Sequence, residues 1–196
     1  MNLNRRLDGC TADEIYVWDL SIRVFHWLLV ISFITAWYFE GRDIRFHILA
    51  GLMIGGLILF RVIWGVCGTE YAKFSSFLPS FATISHHFVS LLHLRADRCV
   101  GHTPIGSIMI YAILFCLSLI VASGMGLIGF QFGLGVFFAL GSSHDFSAET
   151  TVQAIHAWSV DVLYGLIVIH LAGVVAESLL QRSNLIQAMI TGKKTV

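Results

Sequence analysis

The chain has 196 residues, of which 57% are hydrophobic and only 12% charged, with twelve basic and twelve acidic side chains in balance and a mean hydropathy of +0.80. So apolar a composition excludes a soluble domain of this size, and zero net charge without a basic block interleaved with aromatics argues against a nucleic-acid partner. What remains is an integral membrane protein.

The leader MNLNRRLDGCTADEIYVWD is polar and lacks the apolar core and small-residue cleavage site of a signal peptide, so the first apolar run is expected to be a retained anchor. Windows of about 20 predominantly apolar residues predict four transmembrane helices, at residues 20–39, 44–66, 104–128 and 152–179. A further run, LIGFQFGLGVFFALG at 127–141, is short and glycine-rich, and the segment 129–145 is expected to lie at the outer interface. The expected fold class is an all-α integral membrane bundle of four transmembrane helices, a single domain over residues 1–196.

Lys and Arg cluster at the N-terminus, in the second-to-third connection and at the C-terminus; only Arg42 and Arg45 flank the first turn, and residues 129–151 carry none. That asymmetry puts both termini in the cytoplasm. Cys10, Cys67 and Cys99 then fall on the inner side and Cys116 within the third span, so no external disulfide is expected, and no C-x-x-C-H motif attaches a haem covalently.

Of nine histidines, four fall inside the spans. In IHAWSVDVLYGLIVIH, residues 155–170, His156 and His170 are almost four helical turns apart, on nearly one face and separated by ~21 Å along the axis. The up-down topology then places His47 with His156 at an outer level and His26 with His170 at an inner level. A lone intramembrane histidine is as readily a bundle hydrogen-bonding group or a proton relay as a ligand. Four that pair by depth favour ligands.

A structural zinc site needs four ligands close together, whereas haem b needs an apolar slot and one or two axial nitrogens. Gly51 and Gly55, one and two turns after His47, could leave room for a flat ring, or could be ordinary G-x-x-x-G helix packing. Arg23, one turn before His26, and Arg61, near the inner end of the second helix, are candidates to pair with haem propionates. For Arg42 and Arg45 snorkelling to the interface is an equal reading. Asp161, a carboxylate midway into a span, is either hydrogen-bonded within the bundle or coupled to redox protonation. The remaining histidines, His86, His87, His93, His102 and His144, read as loop residues.

Four stretches carry a family likeness: VWDLSIRVFHW (17–27), FRVIWGVCGTEYAKFSSFLP (60–79), GHTPIGSIM (101–109) and NLIQAMITGKK (184–194). Together with the His156 and His170 spacing they resemble the prokaryotic cytochrome b561 and nickel-iron hydrogenase b-type cytochrome family across nearly the whole chain. The resemblance implies two non-covalent b haems with bis-histidine ligation, His26 with His170 and His47 with His156. It also implies electron transfer between a periplasmic redox protein or enzyme subunit and quinone, in the bacterial inner membrane. Two rivals stand beside it: a self-sufficient superoxide:quinone oxidoreductase, and a haem-free transporter using intramembrane His and Asp as a proton relay.

Overall fold

The structure, a computed structural model, describes residues 14–78, 80–92, 103–135, 146–181 and 183–195. Four helices are long and apolar enough to cross a membrane: α1, Leu20–Phe39; α2, Ile44–Cys67; α4, Pro104–Phe132; and α5, Phe146–Leu180. Between α2 and α4 come two 3₁₀ turns, Glu70–Ala72 and Phe74–Phe77, and a short helix α3, Phe81–Leu92. A last helix, α6, spans Leu185–Thr191.

Local chemistry fixes the helix ends. Asp19 caps α1 by accepting from the Ile22 amide at 2.8 Å, and Thr103 caps α4 by accepting from the Gly106 amide at 3.1 Å, with Pro104 in the first turn. Residues 129–132, expected at the interface, instead continue α4, which ends only at Gly133 with φ 61°, its N–H returning to the Gly129 carbonyl. Residues 136–145 of the expected interfacial segment lie outside the described residues. At the other end of that connection α5 begins six residues before the expected 152, because FSAETT forms a polar first turn with Glu149 in it.

Many large apolar side chains on the four helices face outward, among them Leu28 and Ile31 on α1, Leu59 on α2, Phe115 on α4 and Val168 on α5. In a bilayer these meet acyl chains, so helix association rests on close packing and interhelical hydrogen bonds. The core is accordingly small: Ile54, Cys116, Leu117 and Leu163, with Leu163 only 1% exposed. Beside it the Cys116 thiol donates to the Ser159 carbonyl at 3.1 Å, tying α4 to α5.

The helices pack as two hairpins. α1 runs along α2 and α4 along α5, while α2 against α4 joins the pairs. Among the described residues α5 has no comparable packing on α1 or α2. Space is thereby left between α5 and the first hairpin, and His47 and His156 line it.

The first and last described segments meet at one end of the bundle. Strand β1, Glu14–Tyr16, pairs antiparallel with β2, Lys193–Thr195, in the register Glu14↔Thr195 and Tyr16↔Lys193. Gly192, at φ 85°, makes the turn into β2 and accepts from the amides of Val17 and Trp18 through its carbonyl. This end is called proximal below, and the opposite end distal.

Candidate functional site

At the distal level a cavity of about 440 Å³ opens between all four long helices. His47 of α2 and His156 of α5 line it, their ring centres 6.3 Å apart and their planes inclined at 66°. Each ring is anchored through Nδ1. That of His47 lies 2.9 Å from the Ala36 carbonyl, and that of His156 lies 3.0 Å from the Ile120 carbonyl and 3.1 Å from the Ser123 hydroxyl. A carbonyl accepts only, so Nδ1 carries the proton and the lone pair is left on Nε2.

This arrangement fits a group whose metal takes two imidazole nitrogens: His47 and His156 would hold it through Nε2. The walls are apolar, with Ile48, Leu52 and Val121 among them, and Gly51 and Gly124 thin the lining where helices α2 and α4 face the space. An apolar slot flanked by two oriented imidazoles is what a haem b requires. Gly55 does something else: a Cβ there would lie 3.1 Å from Val121, so this glycine lets α2 approach α4.

At the proximal level His26 and His170 come close enough to interact electrostatically. Among the described residues the buried His26 Nδ1 has no hydrogen-bond partner, an orphaned ring nitrogen of the sort a bound group would engage. Because α5 is unbroken from Phe146 to Leu180, the two levels on it are ~21 Å apart.

The arginines beside the proximal level are held in different ways. Arg23 donates to the Ile190 carbonyl and, at 3.3 Å, to the Tyr16 hydroxyl, and its buried Nε has no partner among the described residues. Arg61, 4% exposed, donates to the Ala72 carbonyl at 3.1 Å and lies 4.5 Å over the Phe74 ring. Among the described residues no carboxylate is within salt-bridge distance of it. Phe74, Phe77 and Tyr111 form a mutually packed aromatic triad, and the Tyr111 hydroxyl donates to the Phe74 carbonyl at 3.2 Å. This explains YAKFSSF: the loop folds back under α2, with Phe74 against Gly65 and Arg61.

At the distal end Arg42 donates to the Tyr38 carbonyl at 2.6 Å and covers that ring, while Arg45 pairs with Asp43 at 2.8 Å. Glu40 and Asp161 line the distal cavity, and both interact electrostatically with Tyr164. His86 is exposed on α3; His93, His102 and His144 lie outside the described residues. Sequence reasoning missed Gly124, whose absent side chain leaves room for the His156 ring, and the Ile120 carbonyl that orients it. The stretch ASGMG was a usable sign, since small residues mark close approach in membrane helices.

Comparison with known proteins now bears on these features. The family model described as prokaryotic cytochrome b561 matches residues 17–192. Over 92% of its length the chain is 22% identical to a probable Ni/Fe-hydrogenase B-type cytochrome subunit of Rhizobium leguminosarum bv. viciae, covering 89% of that relative. Proteins with the same description from Azotobacter vinelandii and Azotobacter chroococcum mcd 1 are 24% and 25% identical, each over 91% of this chain and 87% of the relative. No solved structure matches the chain. A b-type cytochrome is a haem protein, so the haem-free transporter alternative falls. The match over residues 17–192, on four helices able to span a membrane, places the chain in the prokaryotic cytochrome b561 family, as a bacterial multi-pass membrane cytochrome of the b type that serves electron transfer.

Proposed function

We propose that this cytochrome holds two b haems, one between His47 and His156 and one between His26 and His170, and passes electrons between a redox enzyme and quinone in the bacterial inner membrane. The observation that carries the proposal is the 6.3 Å separation of the His47 and His156 rings, with Nδ1 of each bound away from the space between them. Haem supplies the one-electron change of its iron. The chain's residues do the rest. Backbone carbonyls of Ala36 and Ile120 fix ring orientation and tautomer, the apolar walls exclude water, and Arg61 and Arg23 offer guanidiniums to the propionates at the proximal level.

The excess of Lys and Arg near the proximal end supports a cytoplasmic location for both termini, which puts the distal level toward the outer face. The relatives are described as hydrogenase cytochrome subunits, which supports a redox enzyme as the partner, docked at the distal end. Quinone is assigned as the second redox partner.

The test is the pyridine haemochrome spectrum and haem-to-protein ratio of the detergent-purified chain. Two b haems are expected, with His47→Ala and His156→Ala each removing the same one and His26→Ala and His170→Ala the other. One haem in the unaltered chain, or retention of both in all four variants, overturns the assignment.

A further inference from the structure

The two histidine levels differ in the charges around them. At the distal level the ionisable groups lining the cavity, besides His47 and His156, are Glu40, Asp161 and Tyr164. Glu40 stands at the mouth, four residues past Ala36, and interacts electrostatically with His156. Asp161 lies on α5 between the levels, about 7.5 Å along the axis from His156 and about 13.5 Å from His170. The carboxylates thus flank the His47–His156 pair from above and below. The nearby cations offset them little: Arg45 is neutralised by Asp43, and the exposed Arg42 is turned onto Tyr38.

The proximal level instead has two arginines beside it. Arg61 is buried with no carboxylate within salt-bridge distance among the described residues, and Arg23 precedes His26 by one turn with its Nε buried. The described acids toward that end lie further from the ring pair: Asp19, seven residues before His26 and outside the span, interacts with Arg61 and receives hydrogen bonds from Thr69 and Trp64; Glu177, about 10 Å along α5 from His170, receives them from Thr103 and Gln181; and Glu14 and Glu70 stand outside the spans.

A ferric haem carries one more positive charge than a ferrous one. A carboxylate nearby favours the ferric form and lowers the potential, whereas a guanidinium favours the ferrous form and raises it. Both effects grow where water is excluded. We propose that Asp161 and Glu40 hold the His47–His156 haem at a lower potential than the His26–His170 haem, whose potential Arg61 and Arg23 raise. This rests on the two-haem proposal above. Its consequence is a direction: an electron entering at the distal level moves downhill toward the termini. Both carboxylates are exposed on the surface of the chain, but Asp161 has the larger share because it lies within a span, where the bilayer keeps water away, whereas Glu40 follows the last residue of α1 at the aqueous end.

Spectroelectrochemical titration of the intact chain in detergent tests this. Two Nernst components are expected, and the one missing from His47→Ala is the distal haem and the lower in potential. Asp161→Asn shifts that component upward and leaves the other in place, Glu40→Gln shifts it less, and Asp161→Glu restores it. Arg61→Gln shifts only the other component, downward. A distal component that is the higher of the two, or an Asp161→Asn variant that moves neither component or both equally, overturns the proposal. If His47→Ala removes neither component or both, it is the two-haem assignment that fails.

Discussion

A Cβ placed on Gly124 would stand 3.2 Å from Cε1 of His156, so the ring rests directly on the bare backbone of α4. A branched side chain there must displace the imidazole at this edge, and with it the Nδ1 contacts to the Ile120 carbonyl and Ser123 hydroxyl. Overpacking of this kind costs about 1–3 kcal/mol. Gly124→Val is expected to lose the distal haem, halving the haemochrome ratio, while helix content by circular dichroism stays unchanged. Gly55→Ala, against Val121 at 3.1 Å, is expected to keep both haems and lower only the melting temperature.

The Phe74 ring occupies the place where a side chain on Gly65 would sit. Gly65→Ala and Phe74→Ala should therefore each destabilise the chain, by loss of the contact with Arg61, which is worth about 0.5–2 kcal/mol, and of aromatic packing. In combination they should not add, because once the ring is gone the methyl has nothing to strike. A double-mutant cycle on thermal unfolding in detergent checks this; full additivity would mean that the loop does not rest on Gly65.

Asp19 lies just outside the first span. Burial pushes its carboxyl up, but hydrogen bonds from Thr69, the Ile22 amide and Trp64 outweigh burial and leave it below its ordinary 3.8. With the folded value depressed, this stabilisation is whole above the unfolded value and disappears as pH falls through the folded one. Asp19→Ala is expected to cost about 0.5–2 kcal/mol near neutral pH, as N-cap losses do. The difference from the unaltered chain should shrink below pH 3.8, a window read from melting curves across pH.

The last turn of α6 is held by side chains on either side of His26. Arg23 donates to the Ile190 carbonyl, and Trp27 Nε1 donates to the Met189 carbonyl at 3.3 Å. Gly192, at φ 85°, faces the Trp18 carbonyl and the Tyr16 ring where a Cβ would go. A valine there adds backbone strain of about 1–3 kcal/mol and a collision. Gly192→Val should loosen the proximal haem first, seen as faster loss of that component on dilution into detergent; equal loss from both levels would show that the tail does not support His26.

Much of this was legible in the sequence because bilayer thickness is a strict ruler. Leu20, Phe39, Ile44 and Pro104 mark observed helix ends as expected, since a run of apolar residues and an Asp or Thr cap leave little choice. Depth bookkeeping likewise brought His47 to His156. The end of α4 was misjudged because Gly129 and Gly133 read alike in a glycine-rich run, while only Gly133 takes the left-handed conformation that ends a helix. The roles of Gly65 and Gly124 depend on which neighbour faces the missing side chain, and no periodicity within one helix carries that. Arg61 is a further case: its place against Phe74 and Ala72 depends on a loop whose fold-back lies in tertiary contacts.

The pairing of Glu14 with Thr195 bears on how the molecule is made. A ribosome delivers residue 14 long before residue 195, so β1 must wait at the membrane surface, unpaired, while every helix is threaded and turned. Such distant contacts form late because closing the intervening loop is entropically expensive until the helices are already gathered. Closure of this small sheet thus marks completed insertion. A nascent chain stalled after three crossings would display β1 as a free edge, a local difference by which a protease or chaperone could tell an unfinished cytochrome from a finished one.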